Sequence, residues 1–278
     1  MTNPLLKSIK IGFIGAGNMT QTMIKGVLEN KLIRPEQIIV SNRTPGKLLK
    51  VSELFHVQTR EHNEQVVEES DVIILAMKPQ DLPSAVEVFA NHIEKHQTVV
   101  SLAAGINLKS LEKLIPAGRL VRMMPNTPCV IGRGIVGYLT QNEDDVVGDL
   151  MDDLFSGLGT LLEVATEDQF DALMISCSSG TGFVFELMMY WEDWIQERGF
   201  TEIDAKKMTI ETFLGAALLA AQSAGISIEE LQARVTSKKG VTAAGLNSMR
   251  ELEIERTLRI SFEKAALRSK ELSLDHRR

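Results

Sequence analysis

Gly15 and Gly17 stand two residues apart in Ile11-Gly12-Phe13-Ile14-Gly15-Ala16-Gly17-Asn18-Met19, where a short apolar run gives way to a helical pattern. Residues without Cβ allow a sharp turn and a close approach of a pyrophosphate to the backbone. The helix start that follows offers unpaired N–H groups and the positive end of its dipole to the same anion. The chemistry this spacing suits is dinucleotide binding, with Gly15, Ala16, Gly17, Asn18 and Met19 as the phosphate turn. Thr20 takes the third glycine position of the pattern, which predicts a helix set slightly further from its strand.

Other residues suited to ligand binding fall at the ends of apolar runs, where open parallel sheets bind ligands. The run 37–41 ends in Ser41-Asn42-Arg43-Thr44, hydroxyls and a guanidinium with no acid. An acid there would bond the ribose 2′-hydroxyl of NAD, whereas an arginine accepts a 2′-phosphate, so NADP(H) is expected, with NAD(H) possible. Thr44-Pro45 also reads as the cap and first residue of the next helix. The run 72–76 closes on Lys78-Pro79-Gln80, so Ala76, Met77, Lys78 and Pro79 are expected cofactor contacts. The run 98–102 closes on Ala103-Ala104-Gly105, small enough for a nicotinamide ring to pass.

The elements that must position these residues follow from periodicity. Strands are expected at 10–14, 37–41, 56–59 (weak), 72–76, 98–102, 119–123, 135–139 and 160–164, with helices at 18–30, 63–69 and 108–114 among them. Alternation of this kind predicts an α/β, Rossmann-type domain over residues 1–164. All eight prolines lie at or before Pro128, and the pattern beyond Val164 is helical. Thr166-Glu167-Asp168-Gln169 and Ser227-Ile228-Glu229-Glu230 both read as helix-opening capping boxes. Residues 165–278 therefore read as an all-helical second domain. Its apolar stretches 183–194 and 208–221 exceed what a thin helical layer buries alone, which predicts a homodimer.

Length, charge and composition narrow the partners. A chain of 278 residues holds two cores, and 44% hydrophobic content with 24% charged residues is ordinary for a globular protein. A net charge of −7 with no basic run argues against nucleic acid. No uninterrupted apolar run reaches the roughly 18 residues of a membrane span, and the first residues lack a signal-peptide core. A cytoplasmic protein acting on a small molecule is expected. Cys129 and Cys177 lack the spacing of a zinc site and read as reduced packing thiols, with no metal expected.

The chain resembles the pyrroline-5-carboxylate reductase family over essentially its full length. The first glycine segment is shared with many dehydrogenases. More specific are Ala76-Met77-Lys78-Pro79-Gln80, Ser101-Leu102-Ala103-Ala104-Gly105, Met124-Pro125-Asn126-Thr127-Pro128, Val235-Thr236-Ser237 and Val241-Thr242-Ala243-Ala244-Gly245-Leu246. The resemblance implies NAD(P)H-dependent reduction of a cyclic imine to proline, by a Rossmann domain joined to a helical dimerisation domain, often in larger rings. It implies cofactor contacts at Ala16, Asn18, Met19, Ser41, Arg43, Asn63, Ala76, Lys78 and Ala104. It also implies a substrate loop with Ser237, Gly240, Val241 and Thr242, and Glu167 as a further pocket residue.

Thr242 is the expected catalytic residue, its hydroxyl bonding the imine nitrogen or the carboxylate; its alternative role is a helix N-cap. Two segments depart from the family. Cys177-Ser178-Ser179-Gly180-Thr181-Gly182-Phe183 replaces Ser-Gly-Ser-Gly-Pro-Ala-Tyr, and Lys238-Lys239-Gly240 replaces Pro-Gly-Gly. Both lie on the substrate side. They leave open a reductase of another cyclic imine or keto acid, or a nucleotide-binding paralogue with little turnover.

Overall fold

Four apolar tetrapeptides make the centre of the first half of the chain. The computed structural model describes residues 4–29, 31–141 and 145–275. Its strands are β1 (Ile11–Ile14), β2 (Ile38–Ser41), β3 (Gln58–Arg60), β4 (Val72–Leu75), β5 (Thr98–Ser101), β6 (Arg119–Pro125), β7 (Gly134–Thr140) and β8 (Gly159–Glu163). They form one sheet in the order β3-β2-β1-β4-β5-β6-β7-β8. All neighbours run parallel except β6 and β7. Every residue of β1, β2, β4 and β5 is buried, as expected of parallel strands covered on both faces.

The covering follows the two-residue period of a strand. Phe13 faces a cluster built with Met23, Ile24, Val51, Met151 and Phe155, while its neighbour Ile14 faces one built with Val66, Val86, Phe89 and Leu111. The first cluster is supplied by helices α1 (Asn18–Glu29), α2 (Pro45–Phe55) and, beyond β7, one over Asp145–Phe155. The second comes from α3 (Asn63–Glu68), α4 (Leu82–Phe89) and α5 (Leu108–Leu114), so the helix Asp145–Phe155 is α6. Register then aligns the carboxyl ends: Ile14 lies level with Ser41 and Leu75, and Leu75 with Ser101.

Two elements differ from the sequence reading. The weak strand expected at 56–59 lies at Gln58–Arg60, because His56 ends α2 in the left-handed conformation, φ 57°. Helix α4, absent from that reading, supplies the crossover that parallel β4 and β5 require. Asn30, the expected end of α1, lies outside the described residues.

The helical part comprises α7 (Glu167–Leu173), a π-helical turn (Met174–Ser179), α8 (Gly180–Gln196), α9 (Glu202–Gln222), α10 (Ile228–Arg234), α11 (Val241–Glu251) and α12 (Ile254–Asp275). α7 and α10 open on hydroxyl caps: Thr166 Oγ1 accepts from the Gln169 amide and Ser227 Oγ from that of Glu230. By packing, the described residues up to 181 with those from 265 onward make one unit and residues 182–264 another. Residues 165–181, placed beyond the expected domain boundary, thus pack with the sheet. The helical run Glu167–Gln196 is apolar and long enough to cross a membrane by length and composition alone. Its first part, with Phe170, Leu173, Met174 and Ile175 buried, behaves as a core helix of the α/β unit. In the second unit Phe183 stacks near Phe262, and Trp191 meets Phe213 edge to face, both at 5.5 Å. Val184, Phe185, Met189 and Trp194 are exposed on the single chain.

Candidate functional site

The turn after β1 is held from both sides. Gly15 donates its amide to Ser41 O at 2.8 Å, and Ala76 donates to Ile14 O at 3.0 Å. Gly15 has φ +115°, and a Cβ there would lie 2.6 Å from the carbonyl oxygen of Ala76. Gly17 is the opposite case. A Cβ at Gly17 meets nothing within 4 Å. One glycine is required by the fold, whereas the other leaves space at the mouth of a helix whose first turn carries no acid. That pairing fits a pyrophosphate, held by backbone at a helix start.

Thr20 is fully buried and donates its hydroxyl to Gly15 O at 2.8 Å, tying helix to turn.

The turn opens into a cleft of about 400 Å³. Of the expected cofactor residues, Gly15, Ala16, Gly17, Arg43, Asn63, Ala76 and Lys78 line it. Ser41 is buried behind them and donates its hydroxyl to Asn63 Oδ1 at 2.8 Å. Asn18 is exposed at the start of α1, and Met19 packs partly into the core. Thr44 caps α2 by position, without a side-chain capping bond. Pro79 opens the 3₁₀ turn Pro79–Asp81, and Ala104 is exposed beyond β5; neither lines the cleft.

The lining also includes Met77, within the expected Ala76-to-Pro79 stretch, and Asn42, Lys47, Asp81, Ser84 and Ala85, which sequence reasoning missed. Asn42 Oδ1 accepts the Ala16 amide at 3.2 Å, so this side chain braces the phosphate turn. Its position inside Ser41-Asn42-Arg43 was the available signal. Arg43 reaches Asp81 Oδ2 at 3.2 Å.

Glu167 uses both carboxylate oxygens inside the α/β unit. One pairs closely with Arg122 Nη1, and the other accepts the Leu108 amide at 2.8 Å. Arg122 is buried, with its guanidinium 4.1 Å from the centre of the Phe170 ring. Burial pushes its pKa down, and the charges of Glu167 and Asp171 oppose that. The adjoining π turn leaves the Cys177 carbonyl to side-chain donors: Asn126 Nδ2 and the Thr181 hydroxyl, each at 3.1 Å. Asn126 Oδ1 in turn accepts the Ile135 amide at 2.9 Å. The Met-Pro-Asn-Thr-Pro segment thereby anchors the turn. Burial pushes the Cys129 thiol pKa up, consistent with a packing residue.

In the second unit, Ser237, Lys238, Lys239 and Gly240 form a tight turn, with the Gly240 amide on Ser237 O at 3.0 Å. Lys239 stands at φ +63°, a conformation natural to glycine. Gly240, not Thr242, is the N-cap of α11 and provides no capping side chain. Thr242 lies within the first turn, exposed, and its hydroxyl makes no hydrogen bond among the described residues. Its capping role is excluded by this placement. Among the described residues no group of three or more His, Cys, Asp or Glu has a metal-holding arrangement.

Residues 10–105 match the family described as NADP oxidoreductase, coenzyme F420-dependent, and residues 167–272 match pyrroline-5-carboxylate reductase dimerisation. The chain is 33% identical over 268 residues to pyrroline-5-carboxylate reductase of Arabidopsis thaliana, covering 96% of each. It is 33% identical over 266 residues to that of Pseudomonas aeruginosa, covering 95% of this chain and 97% of the relative. A Coxiella burnetii pyrroline-5-carboxylate reductase structure superposes with a TM-score of 0.85 at 30% identity, over 97% and 98% of the two chains. A Plasmodium falciparum pyrroline carboxylate reductase solved with NADP bound has the same fold, with a TM-score of 0.83 at 23% identity over 96% and 98%.

Proposed function

We infer that this chain, which belongs to the pyrroline-5-carboxylate reductase family, reduces the cyclic imine pyrroline-5-carboxylate to proline by hydride transfer from NAD(P)H. The near-full-length similarity to reductases of that name carries the substrate assignment. When bound, the nicotinamide supplies the hydride. The open backbone at Gly17 and the acid-free start of α1 support its pyrophosphate, and the cations Arg43, Lys47 and Lys78 support a preference for NADP(H).

The remaining work falls to the chain's own groups. A protonated imine is already electrophilic, so positioning matters more than a strong general acid. The first turn of α11, from Val241, offers N–H groups without intrahelical partners and has no acid, which suits a substrate carboxylate seated in the loop of Ser237, Gly240 and Val241. Thr242 Oγ1, uncommitted among the described residues, serves the ring nitrogen or that carboxylate. Glu167 acts indirectly, by fixing Arg122 and the start of α5.

The nucleotide function is assigned to residues 1–164 and the dimerisation and substrate function to 165–278, with residues 165–181 packed against the sheet. The exposed Val184, Phe185, Met189 and Trp194 favour a homodimer, or a larger ring of dimers, in the cytoplasm. NADPH oxidation by the purified protein, with and without pyrroline-5-carboxylate and with NADH in parallel, tests the assignment. Imine-dependent oxidation, faster with NADPH, is expected; nucleotide binding without imine-dependent oxidation would overturn it.

A further inference from the structure

Asp81 is the one acid among the described residues lining the nucleotide cleft, where the charged neighbours are Arg43, Lys47 and Lys78. A carboxylate in a site for a polyanion weakens binding unless it has another task. It sits on the 3₁₀ turn that follows β4, on the wall facing the loop after β2, and its Oδ2 lies 3.2 Å from Arg43 Nη2. Arg43 is the guanidinium read above as the receptor for a 2′-phosphate, and its side chain is 87% exposed. An ion pair this open to water is weak, and a phosphate offers arginine a stronger, bidentate partner.

We propose that Asp81 is a specificity-determining residue: a built-in competitor for the 2′-phosphate that occupies Arg43 in its absence and narrows the preference for NADPH over NADH. The proposal rests on the cofactor reading above. NADH has no 2′-phosphate and asks nothing of Arg43, so it leaves the pair in place. NADPH must displace Asp81 from Arg43 and bind beside the released carboxylate. Both effects act on one cofactor only. The remaining contacts of Asp81 are local to its own turn, where its backbone carbonyl accepts the Ser84 hydroxyl at 3.2 Å. An amide of the same shape preserves them.

The test is equilibrium binding of NADP⁺ and NAD⁺, by calorimetry and without substrate, to the full-length wild type, D81N, R43A and the double variant. D81N is expected to raise the ratio of NADP⁺ to NAD⁺ affinity by about 1.5- to fivefold, the range of one exposed ion pair. In the R43A background the same substitution is expected to change the ratio much less. An unchanged or lowered ratio in D81N overturns the proposal and makes Asp81 a residue that aims Arg43. An equal effect with and without Arg43 also overturns it, since competition for Arg43 is then not the route. If the wild type binds neither nucleotide, the cofactor reading itself fails, an outcome distinct from binding that ignores Asp81.

Discussion

Glu167 and Arg122 form an ion pair between the first turn of α7 and the buried strand β6, and the same carboxylate takes the Leu108 amide at the start of α5. Arg122 has its side chain only 3% exposed, whereas that of Glu167 is 37% exposed. The arginine therefore depends on the glutamate more than the reverse. Removing the acid leaves a buried cation whose remaining compensation is the Phe170 face and the more distant charge of Asp171.

Glu167→Gln should cost about 2–4 kcal/mol of stability, because breaking a largely buried pair leaves a charge uncompensated. Urea unfolding of the variant measures it. The double substitution Glu167→Leu with Arg122→Met should lose less than Glu167→Gln alone, since it removes both charges together. A Glu167→Gln variant as stable as the wild type would show that the pair does not anchor α7.

The two glycines of the phosphate turn should separate folding from binding. Gly15→Ala forces a side chain into φ +115° and against the Ala76 carbonyl, for about 2–4 kcal/mol of lost stability. Gly17→Val adds atoms to space that is open in the chain, so its thermal midpoint should stay near the wild type. NADPH affinity should instead fall by about 1–3 kcal/mol, as crowding of a close contact does. Calorimetric unfolding and nucleotide titration of both variants read the two effects. Retained affinity in Gly17→Val would remove the pyrophosphate from this turn.

This division also marks what local sequence could and could not reveal. The strands were legible because a parallel strand covered on both faces must be apolar throughout, as Ile11–Ile14 and Val72–Leu75 are. The glycine turn was legible because its chemistry is local. The opposite wall of the cleft was not. Asp81, Ser84 and Ala85 come from α4 and the turn before it, an eight-residue helix with Pro83 in its first turn that offered no periodic run long enough to read. Asn42 was passed over since its contact is with Ala16, 26 residues away in the chain. The glycine pattern gives Thr20 only an effect on helix spacing, and does not reveal the hydroxyl bond to Gly15 that makes it part of the turn.

Tyr138 should make stability fall at high pH. Burial and then the charge of Glu163, whose Oε2 lies 3.4 Å from the phenol, push its pKa up to about 12. An unfolded tyrosine titrates near 10. The folded state therefore favours the neutral phenol, a contribution fully present below about pH 10 and lost as pH rises toward about 12. A shift of this size corresponds to roughly 2–3 kcal/mol over that window. Urea unfolding at pH 9, 10 and 11 should show a steeper decline for the wild type than for Tyr138→Phe, which has no phenol to ionise. Parallel curves would mean that Tyr138 ionises in the fold as readily as in the unfolded chain.

Thr242→Ala should separate turnover from cofactor binding. Gly240 holds the N-cap position of α11, so the threonine hydroxyl is not spent on the helix, and its loss costs the fold little. If that hydroxyl bonds a charged group of the substrate, its removal should lower kcat/KM by about 10- to 100-fold, the range for a hydrogen bond to a charged partner. NADPH affinity, set by the phosphate turn in the other unit, should be retained. Thr242→Ser keeps the oxygen and should recover most of the activity, which a purely packing role for the methyl group would not allow. Steady-state kinetics of both variants beside an NADPH titration decide the matter, and full activity in Thr242→Ala would move the catalytic role elsewhere in the Ser237-to-Thr242 loop.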